Sequence, residues 1–236
     1  MVKIIDELSV FLPAYNEEEN IKNAVLHVRE VLEDVAKKWE IVIVNDGSED
    51  RTVVIANELE KSDKRIKIIN HAQNRGYGAS LASGFYASKY SWIAFIDSDG
   101  QFDFGEITKF IDKQKETQAD LVIGYYKNRK VSFTKVLTSK IWEAFVFTLF
   151  GLKVRDIDCA FKLVSKRVID AIPRLESERG AFISSELLIK AKKKGFRIAE
   201  VPVNHYPRLK GKGTGRNLNV IIKSFNDLFK LWRKIK

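Results

Sequence analysis

Cysteine is almost missing from this chain. Cys159 is the only one in 236 residues, so no disulfide framework holds the fold together. Histidine is scarce as well: His27, His71 and His205 stand far apart and show no zinc-ligand spacing. No Pro/Gly/Ser-rich linker divides the chain, and no internal repeat is found. The amino terminus, Met-Val-Lys-Ile-Ile-Asp-Glu, lacks the apolar run of a signal peptide. The longest apolar stretch, Ile141 to Leu152, is too short to span a bilayer and contains Glu143. These absences predict a cytoplasmic protein, soluble or peripheral on the cytoplasmic face of the cell membrane. One methionine and four glutamines beside a high charge content lean towards a thermophilic source.

What is present narrows the class. At 45% hydrophobic residues the chain can bury a full core, which excludes wholesale disorder. The net charge of +10 favours a polyanionic partner: nucleic acid, anionic lipid or a phosphorylated substrate. Nine of the basic residues and one acid, Asp227, lie between Arg208 and Lys236, so +8 of the charge sits in the last 29 positions.

Periodicity alternates strand and helix. Apolar runs at Leu8–Leu12, Ile41–Val44, Ile66–Ile69, Trp92–Ile96 and Leu121–Gly124 read as strands. Helical spacing falls between them, at Glu17–Lys38, about Asp50–Lys61, Gly76–Lys89 and Glu106–Glu116. Further on come a helix at Ser132–Phe150, a strand at Ala160–Val164, a helix at Ser184–Lys194 and a strand at Phe196–Val203. Strands that are apolar throughout, separated by helices, predict an α/β fold with a mostly parallel sheet covered on both faces. Residues 1–216 form that domain, and 217–236 a basic amphipathic helix with Leu218, Ile221, Ile222, Phe225, Leu228, Phe229, Trp232 and Ile235 on one face.

Ligands of open α/β sheets bind beyond the carboxyl ends of the strands. Four polar clusters follow the first four strands: Pro13-Ala14-Tyr15-Asn16-Glu17, Asn45-Asp46-Gly47-Ser48, His71 to Gly78, and Asp97-Ser98-Asp99-Gly100-Gln101. Solubility alone accounts poorly for four such clusters in succession. Two carboxylates two residues apart past a buried strand can hold Mg²⁺ or Mn²⁺ together with phosphate oxygens. Gln101 can add a carbonyl oxygen. The plain alternative is a solvated turn with capping acids. Asp46 can accept from a nucleobase, or merely shape its turn. Leu81 breaks the dinucleotide fingerprint after Gly76 and Gly78, and Gly211-Lys212-Gly213-Thr214 lacks the first glycine of a P-loop.

Together with Asp156-Ile157-Asp158-Cys159-Ala160-Phe161-Lys162-Leu163 and Glu200-Val201-Pro202-Val203-Asn204-His205-Tyr206-Pro207-Arg208, these stretches resemble the family 2 (GT-A fold, Rossmann-like) glycosyltransferases. The branch of dolichyl-phosphate mannose and glucose synthases is the most similar, over about Ser9 to Gly215. The resemblance implies an inverting enzyme that moves a hexose from a UDP- or GDP-linked sugar to a polyprenyl phosphate at a membrane surface, with Mg²⁺ or Mn²⁺ as cofactor. It places Pro13, Tyr15, Glu17 and Asp46 in the nucleoside pocket, and Arg75 and His205 on the nucleotide-sugar. Asp97 and Asp99 become the metal and diphosphate site, with Gln101 beside it. Asp156 stands near the transferred sugar and acceptor, and Arg208 on a loop closing over the diphosphate. Arg129, Lys135, Arg155, Arg208 and Lys212 are the candidate cations for the acceptor phosphate. Ala160 departs from the family's usual glycine, and Gly211–Thr214 from its Gly-Lys/Glu-Ser-Lys.

Alternatives remain. One is family 2 transfer to a glycan or other hydroxyl, with Asp156 as base. A nucleic-acid-binding protein is remoter, since no helix-turn-helix, RNP-like strand or zinc knuckle is present. The two amphipathic helices can meet a membrane, pack on the domain or mediate a homodimer.

Overall fold

The computed structural model describes residues 4–127, 133–178, 180, 182–208, 210 and 227–234, with the backbone alone for 133–139. The elements run β1 (Ile5–Ala14), α1 (Ile21–Val35), β2 (Ala36–Asn45), α2 (Thr52–Ser62), β3 (Ile66–Asn70), α3 (Tyr77–Ala87) and β4 (Trp92–Ile96). A 3-10 turn (Phe104–Glu106) leads to α4 (Ile107–Thr117), β5 (Leu121–Tyr126) and α5 (Phe133–Phe150). Then come β6 (Phe161–Ser165), α6 (Lys166–Ala171), α7 (Phe182–Lys193) and β7 (Ile198–Val203). Residues 227–234 are helical.

One seven-stranded sheet has the order β3-β2-β1-β4-β6-β5-β7. The pairs β1/β2, β1/β4, β2/β3 and β5/β7 are parallel, whereas β6 runs antiparallel to β4 and β5. The expectation of a mostly parallel sheet therefore holds on either side of β6 and fails at it. The reason is local. The chain leaves α5 and reaches the edge where β4 finishes, so Phe161 pairs with Ile96 and the strand runs back to set Ser165 opposite Trp92.

The apolar period of α1 faces inward as its spacing dictates: Ile21, Val25, Val28, Leu32 and Val35 are all buried. Its ends differ from the expected Glu17–Lys38. The Glu17 amide donates to Thr52 Oγ1 (2.8 Å) and Asn16 adopts φ +54°, so Asn16–Asn20 remains outside the helix. After Val35 the chain extends at once into β2, where the Arg65 guanidinium lies 3.8 Å from the centre of the Trp39 ring. Under the centre of the sheet, Phe11 packs on Phe85 and Phe95 at 4.9 and 5.4 Å between ring centres. A Cβ on Gly84 would stand 2.2 Å from the Phe11 ring, so only glycine lets α3 approach β1 so closely. A second cluster joins Phe161 to Phe104 and Phe110. Each such buried ring contributes about 2–3 kcal/mol, and together they fix β1 and β4, whose ends carry the polar loops. Among the described residues no helix is long and apolar enough to cross a membrane.

Candidate active site

The polar loops at the sheet edge are bound into one body. Ser98 Oγ donates to the Pro13 carbonyl (2.8 Å), joining the ends of β4 and β1. The Asn16 amide donates to Ser48 Oγ (3.0 Å) and the Glu49 amide to Asn16 Oδ1 (2.8 Å), which ties the loop after β1 to the loop after β2. Gly47 has φ +68°, and a Cβ there would meet the Gln73 backbone at 2.5 Å, so the loops after β2 and β3 touch backbone to backbone.

Asp46 makes that last contact permanent. Its buried carboxylate accepts from the amides of Arg75 (2.9 Å) and Gly76 (2.8 Å), and His71 Nδ1 lies 2.6 Å away. The structure thus engages Asp46 in shaping the 71–76 loop, the plainer of its two sequence readings. The Arg75 side chain reaches Glu178 (3.1 Å) at a half-exposed rim. Pro13 is buried and Tyr15 half-buried beside them.

Asp97 leaves the end of β4 into a partly buried position, where Tyr77 Oη donates to its Oδ1 at 2.9 Å. Burial, with the neighbouring Asp99 charge, pushes the Asp97 carboxyl up to about 7, although Tyr77 and the Lys162 charge pull it down. Asp99 is partly buried as well. Its Oδ1 accepts from the Gln101 amide (3.0 Å) and its Oδ2 from Arg208 Nη1 (3.4 Å). The other Arg208 nitrogens reach Glu17 Oε1 (2.5 Å) and the Lys210 carbonyl (2.8 Å), while Asn20 holds Glu17 Oε2 (2.8 Å). One guanidinium therefore bridges the loops after β1 and β4. Glu17 is drawn to the Asp99 end of the site.

The segment carrying Arg208 is stapled across the strand ends. Gln101 donates a side-chain N–H to the Tyr206 carbonyl (3.0 Å), and its main-chain carbonyl accepts the Tyr206 amide (2.9 Å). The side-chain nitrogen of Gln101 thus docks the segment. Asn204 donates twice to Glu106, and the His205 ring lies edge-on to Phe102 and Tyr126 (5.2 and 4.8 Å between centres).

Asp156 is buried and accepts the Asp158 amide on Oδ1 (3.1 Å). Close by, the buried Lys162 ammonium donates to the Cys159 carbonyl and lies 3.5 Å from Ser184 Oγ. Burial lowers its pKa, while Cys159, Asp158, Asp156 and Asp97 draw it back up. Tyr77 and Lys162 had no role assigned from sequence. A lysine inside the apolar run Ala160–Val164 was itself a signal, because a charge is kept in a buried strand only when it is paired.

Arg155 is engaged elsewhere. Its guanidinium lies over Tyr125 (4.6 Å) and its amide donates to Glu200 (2.6 Å), in an open cleft of about 760 Å³ whose lining includes none of Asp97, Asp99, Asp156 or Arg208. Arg129 and Lys212 lie outside the described residues, as does the side chain of Lys135.

The donor set suits a divalent cation of a particular kind. Among the described residues no three His, Cys, Asp or Glu side chains converge as a ready-made cage. Two adjacent carboxylates fit an Mg²⁺- or Mn²⁺-type ion that completes its shell from phosphate oxygens and water. Arg208 already sets a positive group against Asp99, as such a ligand requires.

A family model described as glycosyl transferase family 2 matches residues 9–172. The chain belongs to that family. Glycosyltransferases are thus its class, and the sheet carries the GT-A-like architecture of solved relatives. The chain is 31% identical over 215 residues to a dolichyl-phosphate beta-glucosyltransferase of Dictyostelium discoideum, covering 84% of this chain and 65% of that one. A dodecaprenyl-phosphate galacturonate synthase of Rhizobium johnstonii is 27% identical over 228 residues, covering 94% and 67%. The chain spans only a third of a Haloferax volcanii glycosyltransferase and about two thirds of these other relatives. The fold superposes on glucosyl-3-phosphoglycerate synthase of Mycobacterium tuberculosis, in complex with Mn²⁺ and UDP-glucose, with a TM-score of 0.68 at 18% identity, covering 98% and 79%. The same enzyme in complex with phosphoglyceric acid gives 0.69 at 19% identity, covering 98% and 80%.

Proposed function

We propose that this chain is an inverting, divalent-cation-assisted hexosyltransferase that draws its sugar from a nucleoside diphosphate and delivers it to a hydroxyl-bearing, phosphorylated acceptor. The observation that carries the reading is the pair Asp97 and Asp99 at the end of β4, with Arg208 closing on Asp99 and Glu17. A bound Mg²⁺ or Mn²⁺ supplies charge neutralisation that makes the nucleoside diphosphate a competent leaving group.

The chain's own residues do the rest. Asp97 and Asp99 hold the cation, with Tyr77 fixing Asp97 in one orientation. Arg208 adds a second positive charge over the diphosphate, where such preorganised donors act most strongly. Asp46 sets the Arg75–Gly76 backbone at the nucleotide end, with Pro13 and Tyr15 walling the pocket. For a hydroxyl acceptor, Asp156 takes the proton as the new glycosidic bond forms. The phosphoglyceric acid complex of the Mycobacterium tuberculosis enzyme supports an acceptor of that type.

A second reading, a polyprenyl phosphate acceptor, is favoured by a separate observation. Ile141, Phe145 and Phe147 on α5 and Phe229 near the carboxyl terminus are large apolar side chains left exposed. Dolichyl and dodecaprenyl phosphates name the acceptors of two relatives. Such an acceptor is already ionised and needs no base, so Asp156→Asn separates the two readings. The test is a thermal-shift panel of UDP- and GDP-sugars with and without Mn²⁺, followed by radiolabel transfer to 3-phosphoglycerate and to a short polyprenyl phosphate. Stabilisation by one nucleotide-sugar only with Mn²⁺, and transfer to one acceptor, is expected. Stabilisation by none would overturn the proposal.

A further inference from the structure

Beyond the residues that face the donor, an acid on α7 is connected to Asp97 through an unbroken line of contacts. Glu186 is buried, and its two carboxylate oxygens accept separately from the amides of Glu176 and Ser177, each at 2.9 Å. The buried Lys190 ammonium sits 2.6 Å from Glu186 Oε1 and donates to the Arg174 carbonyl at 2.6 Å. This pair holds segment 174–177 by three main-chain groups. A buried ion pair adds little net stability but imposes a single geometry when every polar atom is satisfied.

That geometry is passed on. The next residue, Glu178, accepts the Ala79 amide on its carbonyl (2.8 Å) and pairs with the Arg75 guanidinium through its carboxylate (3.1 Å). Between these contacts Gly78 lies flat on the segment: a Cβ there would stand 2.2 Å from the Ser177 carbonyl oxygen. Tyr77, the neighbour of Gly78, carries the hydroxyl that holds Asp97. The first turn of α3 is therefore clamped from outside by 177–178 and from inside by Asp46, which takes the Arg75 and Gly76 amides.

We infer that Glu186 is a positioning residue of the active site: locked by Lys190, it fixes segment 174–178, which seats the first turn of α3 and with it Tyr77 against Asp97. A carboxylate is required because two adjacent N–H groups point at it. A glutamine offers only one acceptor oxygen and sets an N–H against an N–H. Segment 174–178 has no helix or strand of its own; besides this pair, Tyr86 Oη accepts the Leu175 amide (2.7 Å), so the Glu186–Lys190 pair supplies three of its main-chain anchors and Tyr86 a fourth.

The functional part of this inference rests on the proposed nucleotide-sugar reading, so the experiment has two arms. In the full-length protein, Glu186→Gln is expected to speed hydrogen exchange at the Ala79 amide at least tenfold while β4 amides exchange as before. Unchanged exchange at Ala79 overturns the structural link without any ligand. In the second arm, calorimetry with UDP or GDP plus Mn²⁺ first shows whether the wild type binds a nucleotide. Failure there refutes the functional reading and leaves the exchange result to stand alone. Where it binds, Glu186→Gln is expected to weaken binding at least tenfold and to raise KM for the sugar donor more than it lowers kcat. A merely structural role would lower Tm and leave that ratio alone, and this outcome overturns the proposal. Gly78→Ala presses on the same contact from the opposite side and is expected to give the same KM signature. It carries both arms if Glu186→Gln does not fold. Lys234→Ala removes only the exposed pair with Glu176 and is expected to match the wild type.

Discussion

Asp97 holds an electrostatic imbalance that the cation-free protein must carry. A carboxyl raised to about 7 in the fold, above the ordinary carboxylate range it has in the unfolded chain, stabilises the fold only while protonated. Its contribution is full below about pH 4 and is lost as pH rises through about 7. Asp97→Asn, which cannot ionise, is therefore expected to raise Tm of the cation-free protein at pH 8 by about 5 °C and to leave it nearly unchanged at pH 4. The same substitution should abolish the Mn²⁺-dependent nucleotide response. In the wild type, Mn²⁺ displaces the proton, so its apparent affinity should rise about tenfold per pH unit below 7 and level off above. Tyr77→Phe removes a hydrogen bond that favours the ionised form, and should move that levelling-off to higher pH. Isothermal titrations at pH 6, 7 and 8 check both. The pair Asp97 and Asp99 was legible in sequence because it ends an apolar run. Tyr77 was not, because a phenol in a Gly-Tyr-Gly stretch carries no mark of the strand it will meet 20 residues later.

At the scale of elements, β1 to β4 were readable because each ends in a mainly apolar run that stops at a polar cluster, while the charged starts of β1 (Asp6, Glu7) and β2 (Lys37, Lys38, Glu40) hid how far those strands extend. The segment after β7 was readable as chemistry but not as structure. Nothing in Asn204 to Lys210 shows that Gln101, Glu106 and Asn20 will hold it across the strand ends. The antiparallel β6 was equally hidden, because direction is decided by where α5 delivers the chain. On the proposed function Arg208 is the working end of the segment, and Gln101 is its anchor, so the two should separate in assays. Arg208→Ala is expected to lower kcat about 100-fold, the order found on removing a charge-stabilising donor, with Tm down by no more than about 4 °C. Gln101→Ala should lower kcat less and accelerate proteolysis between Asn204 and Lys210. Turnover of Arg208→Ala within threefold of wild type would remove the guanidinium from the mechanism.

Across the whole molecule, charge and apolar exposure are unevenly spread, and this asymmetry offers a test between the two acceptors. Leu228 and Leu231 are buried, so the 227–234 helix turns part of its apolar face inward, while Phe229 and the flanking Lys230 and Arg233 remain outside. With +8 of the charge between Arg208 and Lys236, an anionic leaflet is attracted to that end of the chain, at about 1 kcal/mol per basic residue near the surface. Such attraction is screened as the Debye length shrinks from about 10 Å at 0.1 M salt to about 3 Å at 1 M. The full-length protein is therefore expected to sediment with phosphatidylserine-containing vesicles at about 0.1 M salt, to ignore neutral phosphatidylcholine vesicles, and to come off at about 1 M. Binding that survives high salt would mean that Phe229 and the exposed α5 residues insert among the acyl chains, and Phe145→Ser should then release it. Absence of binding at low salt would take away the surface a polyprenyl phosphate needs. The enzyme would then be left with a water-soluble acceptor and Asp156 as its base.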